Sequence, residues 1–143
     1  MGQINFFWVG TRGFLQNRTE LKKFIRTLFK SEGRHMDSLL YIFCTDQYLL
    51  DINRRYLDHD DYTDIISFEL SPDPNVIHGE IYISLDRVKE NAKTLGVSFK
   101  EELHRVVFHG ALHLCGYKDK LKSDQLIMRE MEDRYLNLYL NAS

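Results

Sequence analysis

Two histidines four residues apart on a well-marked helix constrain this chain more than any other feature. From Ser98 to Leu114, the residues Leu103, Val106, Val107, Gly110 and Leu114 form an apolar stripe at helical spacing, and Ser98 followed by Glu101 makes a capping box at its start. His109 and His113 then share one face, so both imidazoles project in one direction. A turn beginning near Gly116 can return Asp119 as the third vertex of a tetrahedral metal site whose fourth position is left to water. Such an open position marks a catalytic site rather than a closed structural one. Gly110 costs about 1 kcal/mol of helix propensity relative to Ala, and close approach of a strand or a substrate beside His109 would account for it.

The spacing is that of the metalloprotease HExxH helix, except that Gly110 stands where that motif needs its general-base Glu. A peptidase or amidohydrolase would have to recruit Glu80, Glu101 or a remote carboxylate instead. A bound divalent ion can activate water against a carbonyl or a phosphoryl group, and these residues alone do not choose between them. The plainer alternative is one exposed histidine and one hydrogen-bonded packing histidine. Cys115 points away from the pair by helical phase and reads as a small core residue.

The rest of the chain bounds the fold. At 143 residues, with 43% hydrophobic and 13% aromatic side chains, residues 1–143 suffice for one domain with its own core. Two cysteines, Cys44 and Cys115, fit buried thiols in a reducing compartment, and the start MGQINFFWVGTRGF has neither a basic n-region nor a clean apolar h-region, so the expected location is the cytoplasm. No apolar run is long enough to cross a bilayer. The net charge of −2 excludes a uniformly basic nucleic-acid binder, but it conceals blocks: seven basic and two acidic residues from Arg12 to Arg34, two basic and eight acidic from Asp46 to Asp73. Arg18, Lys22 and Arg26 line the polar face of a helix expected over 18–30, a geometry that suits either phosphate or plain solvent. Strands are expected over 4–9, 38–44, 62–70 and 79–85, with further helices over 46–56, 86–95, 98–114 and 123–140.

With those residues in view, HGALHLCGYKDK resembles the signature of the YbeY family of bacterial single-strand endoribonucleases and rRNA maturation factors, whose segment His-Gly-x-Leu-His-Leu-x-Gly-Tyr-Asp-His holds zinc. The family's first two ligands fall on His109 and His113, and the third falls on Asp119, a carboxylate in place of an imidazole. A second match runs from Ile52 to Phe68, where Asn53, Tyr56, Asp60, Thr63, Asp64, Ser67 and Phe68 agree with the family pattern. There the arginine implicated in RNA cleavage becomes Leu57, and Tyr62 takes the usual proline position; Arg54 or Arg55 is the nearest replacement guanidinium. Gly79-Glu80-Ile81 resembles the family's Gly-Asp-Ile, which makes Glu80 a candidate to order a ligand histidine or metal-bound water, beside the plainer readings of an exposed strand carboxylate or a partner for Arg87.

The resemblance implies an α/β (α+β) domain: a small mixed four-stranded sheet packed with five to six helices, with the metal site at the end of a central helix. It implies one Zn2+ held by His109, His113 and Asp119, and metal-assisted hydrolysis of single-stranded RNA or an rRNA precursor, with no DNA or membrane partner. Basic residues among Arg18, Lys22, Arg26, Arg54 and Arg55 would position the backbone in a basic cleft. The attacking base is left unassigned. The acidic block would repel RNA toward the other face or bind a basic protein of the small ribosomal subunit. Two further readings stay open: a zinc metallopeptidase or amidohydrolase, and a non-catalytic metal-stabilised ribosome assembly factor, the latter kept in play by Leu57.

Overall fold

The computed structural model describes residues 2–12, 15–58 and 63–141. Asp60 and Tyr62 therefore lie outside the described residues. The elements follow in the order β1 (Gln3–Val9), α1 (Arg18–Ser31), β2 (His35–Cys44), α2 (Asp46–Leu57), β3 (Ile65–Glu69), β4 (Val76–Ser84), α3 (Leu85–Leu95), α4 (Phe99–Leu114) and α5 (Lys122–Leu140). Four strands form one sheet in the order β1-β2-β4-β3. The pairs β1·β2 and β2·β4 are parallel and β3·β4 is antiparallel, which gives the mixed sheet and five helices the sequence implies.

Helix starts are set by side-chain caps: Thr45 Oγ1 accepts the Tyr48 amide at 3.1 Å, Ser84 Oγ the Arg87 amide at 3.1 Å, and Ser98 Oγ the Glu101 amide at 3.0 Å. Strands β2 and β4 both begin three residues earlier than their apolar patterns suggest. The added ends pair with one another, His35 with Val76 and Met36 with Ile77, across an irregularity between Met36 and Ser38 that hides the alternation.

The two faces of the sheet are unequal. Ile77, Ile81 and Ile83 of β4, with Leu39, Tyr41 and Phe43 of β2, pack under α1, α4 and α5 in the main core. Tyr41 is fully buried, and its hydroxyl donates to the Val107 carbonyl of α4 at 2.8 Å, a sheet-to-helix bond inside that core. The opposite face carries a smaller core of Cys44, Leu49, Ile52 and Ile66 beneath α2. Helix α4 presses hard on β3 and β4: a Cβ on Gly110 would meet Ile81 at 2.9 Å and Ile65 at 3.0 Å. The close approach expected of Gly110 is thus to the sheet. With α4 seated there, His109 is placed at the β3 edge.

Candidate metal centre

His109, His113 and Asp119 line one cleft of about 620 Å³, walled by α4, β3, the last turns of α2 and the middle of α5. His113 is exposed and His109 is half-buried, and their rings lie 6.0 Å apart between centroids. Each ring is anchored through Nδ1. On His109 that nitrogen lies 2.6 Å from Glu132 Oε2 of α5, and on His113 it donates to the Tyr117 carbonyl at 2.7 Å. Since a carbonyl only accepts, the His113 Nδ1 carries the proton and Nε2 holds the lone pair of the neutral ring. His109 Nε2 faces Asp119 Oδ2 at 3.2 Å.

The fit to a metal rests on this donor set. Two imidazoles with Nδ1 engaged and Nε2 turned elsewhere, plus a carboxylate facing one of them, match the carboxylate–histidine arrangement of zinc sites. Among the described residues, no three His, Cys, Asp or Glu side chains are drawn close enough to hold an ion as they stand, so ligation would require them to close together. Positive charge is already favoured at His109. Burial works to lower its pKa, but the hydrogen bond and charge of Glu132, with Asp119 and Asp64 beyond, outweigh burial and raise it.

Supports for this geometry come from distant parts of the chain. Glu132 is buried, and Arg105 Nη1 holds its other oxygen at 3.1 Å while Arg105 Nη2 reaches Asp133 at 2.8 Å. The turn carrying Asp119 leaves α4 through Gly116, whose φ of 112° suits glycine. Arg34 Nη1 donates to the Cys115 carbonyl at 2.6 Å, and the Tyr117 hydroxyl donates to Glu32 Oε1 at 2.7 Å. The other Glu32 oxygen accepts the Tyr135 hydroxyl, and Gln125 Nε2 donates to the Asp119 carbonyl at 3.0 Å. Burial pushes the Cys115 thiol up to about 12, and Cys44 likewise, which leaves both sulfurs inert at neutral pH.

Several expected residues are not brought to this cleft. Glu80 shares the α2 face of β4 with Tyr82, whose hydroxyl donates to it at 3.0 Å, because the alternation of β4 turns Ile81 toward α4. Glu132 takes the role of ordering His109. The α1 residues lie at the far edge of the sheet: Arg18 sits over Trp8 at 4.6 Å, Lys22 over Phe6 at 5.6 Å, and Arg26 Nε donates to the Gly2 carbonyl at 2.8 Å. Strands β1 and β3 are opposite edges, so this basic stripe covers β1 while the cleft opens beside β3. From α2 the cleft takes Asn53 and Leu57 as lining; Arg54 and Arg55 are exposed and outside that lining.

The lining itself carries Asp64, Glu102, Asp119 and Glu132 against Arg105 and Arg129, so the basic cleft expected from α1 is replaced by an anionic one. Sequence reasoning passed over Glu132, Glu102 and Glu32. A signal for the first existed: Met128, Met131, Tyr135 and Leu136 of α5 form its buried stripe, and Glu132 is the charged member of that stripe.

Known proteins resemble this chain over most of its length. The family model described as Endoribonuclease YbeY matches residues 14–140. The chain belongs to the YbeY family. A Cytophaga hutchinsonii protein named Endoribonuclease YbeY is 48% identical over 135 residues, 94% of either chain. A Flavobacterium psychrophilum protein of that name is also 48% identical, over 87% of this chain and 89% of its own. In structure, a Thermotoga maritima protein solved in solution superposes with a TM-score of 0.61 at 27% identity, covering 94% of this chain and 87% of that one. Family membership thus rests on nearly the whole chain, beyond the histidine helix alone.

Proposed function

We propose that this YbeY-family protein is a zinc-dependent single-strand endoribonuclease that hydrolyses phosphodiester bonds of rRNA precursors in the cytoplasm. The observation that carries the reading is the pair of Nδ1-anchored imidazoles on one face of α4, the first of them facing Asp119, inside a carboxylate-lined cleft. His109, His113 and Asp119 would hold the ion. When bound, it supplies a Lewis acid that acidifies water and stabilises charge on a phosphoryl oxygen. Glu132 keeps the His109 ring turned toward Asp119, and Arg105 in turn holds Glu132 in place. The Tyr117 carbonyl fixes the His113 ring through Nδ1, and Glu32 steadies the turn that carries Tyr117. Endoribonuclease is the activity in the names of the relatives; rRNA maturation is what the family resemblance implies, and a basic small-subunit protein is the partner proposed for the acidic block from Asp46 to Asp73.

The anionic lining keeps one second reading in view, a zinc amidohydrolase using Asp64 as its base. A nuclease-free preparation separates the two. The protein is expected to cut single-stranded RNA with added zinc, to stop with a chelator, and to leave peptide and amide substrates intact. His113→Ala is expected to abolish zinc binding and cleavage with near wild-type folding. Retained zinc with unchanged cleavage in that variant contradicts the proposal.

A further inference from the structure

Two polar atoms lining the cleft are buried with no hydrogen-bond partner among the described residues: Ser67 Oγ on β3 and Glu102 Oε1 on α4. Glu102 is the more telling. The residue is only 5% exposed, so an empty acceptor there carries the cost of desolvation with no bond to offset it. Its neighbours Leu103 and Val106 show that this stretch of α4 accepts aliphatic side chains readily. The carboxyl is not needed to order the histidines, which Glu132 and the Tyr117 carbonyl already do. It stands seven residues before His109 on the same face, about 10 Å along the helix axis at 1.5 Å per residue. That separation puts it out of reach of an atom held at His109 and within reach of a neighbouring nucleotide. Of the two guanidiniums in the lining, Arg105 is engaged by Glu132 and Asp133, whereas Arg129 is exposed and joins no ion pair among the described residues.

We propose that Glu102 determines specificity in this cleft, its Oε1 accepting a hydrogen bond from a nucleotide adjoining the bond to be cut, while Arg129 holds a backbone phosphate there. The donor is a base N–H or the ribose 2′-hydroxyl, the two kinds that single-stranded RNA offers to an acceptor. A nucleotide lacking the donor would leave the buried carboxyl unpaired, and polar sites discriminate strongly on that basis. The inference rests on the ribonuclease reading above and adds the group that selects among RNA sequences.

The test uses zinc-loaded protein and short single-stranded RNAs varied, one position at a time, in base and in 2′-hydroxyl against 2′-deoxy. Binding is followed by fluorescence anisotropy, and cleavage by separate kcat and KM. Wild type is expected to prefer one base or the 2′-hydroxyl at one position by about tenfold or more. Glu102→Met should lose that preference through Kd and KM with little change in kcat, and Glu102→Gln, which keeps an acceptor, should retain it. A loss confined to the base series identifies a base donor; one confined to the 2′ series identifies the ribose. Arg129→Ala should weaken all the RNAs alike and reduce the salt dependence of binding. Wild type that binds RNA without preference, or Glu102→Met with the wild-type preference, overturns this inference alone. Wild type that neither binds nor cuts RNA overturns the ribonuclease reading as well.

Discussion

Glu132 is the side chain on which His109 most depends. It accepts from both the His109 ring and Arg105 while almost wholly buried, so its removal leaves the imidazole without its partner and Arg105 with Asp133 alone. Glu132→Gln is expected to lower zinc affinity about 10- to 100-fold, the usual effect of losing an outer carboxylate, as read by competition with a chromophoric chelator. Glu102 acts in the opposite sense on stability. Burial first, then the charges of Asp64 and Glu132, raise its pKa in the folded protein. The folded state therefore holds the Glu102 proton more tightly than the unfolded one, and stability is lost as pH rises from the ordinary carboxylate range through the raised value. Glu102→Met should accordingly stabilise the protein, and by more above the raised value than within the ordinary carboxylate range, a difference that urea melts on the two sides would measure. Both carboxylates were hard to read from sequence for one reason. Helical phase puts them on buried stripes, but what surrounds them comes from other elements: His109 lies 23 residues from Glu132, and the charges of Asp64 and Glu132 act on Glu102.

At the scale of elements, α4 is fixed by its contact with the sheet and the Asp119 turn by its ties to Glu32. Gly110→Ala gains helix propensity of up to about 1 kcal/mol but drives a Cβ into Ile81 and Ile65, where overpacking costs typically about 1–3 kcal/mol. Net destabilisation is expected in urea unfolding, together with a shift of His109 visible as weakened zinc binding. Glu32→Ala removes the acceptor of both the Tyr117 and Tyr135 hydroxyls. Zinc affinity should fall more than thermal stability does, since the turn carries a proposed ligand and little of the core; an equal loss in Glu32→Ala and in a variant of the distant β1 edge would refute that role. The helix of the two histidines was legible because its stripe, cap and i,i+4 spacing are all local. The misplacement of the α1 basic stripe came from sheet order, which puts β1 and β3 on opposite edges and which no local pattern encodes.

Over the whole molecule, the charge of −2 resolves into two separated surfaces, a basic α1 over the β1 edge and a carboxylate-lined cleft at the β3 edge. Fold class, mixed sheet and family were legible from three motifs in the right order; the sign of charge in the cleft was not, because it is set by residues of α4 and α5 that converge only in three dimensions. An anionic cleft links stability to metal. Saturation with zinc at 100 times its dissociation constant should stabilise the fold by about 2.7 kcal/mol, and His113→Ala should remove that response. Whether His109, His113 and Asp119 together bind one zinc ion is read out by anomalous diffraction from zinc-soaked crystals at the metal edge. A single strong peak bonded to Nε2 of both histidines and to the Asp119 carboxylate is expected. A peak that omits two of these three residues, or none at saturating zinc, would contradict the proposed site.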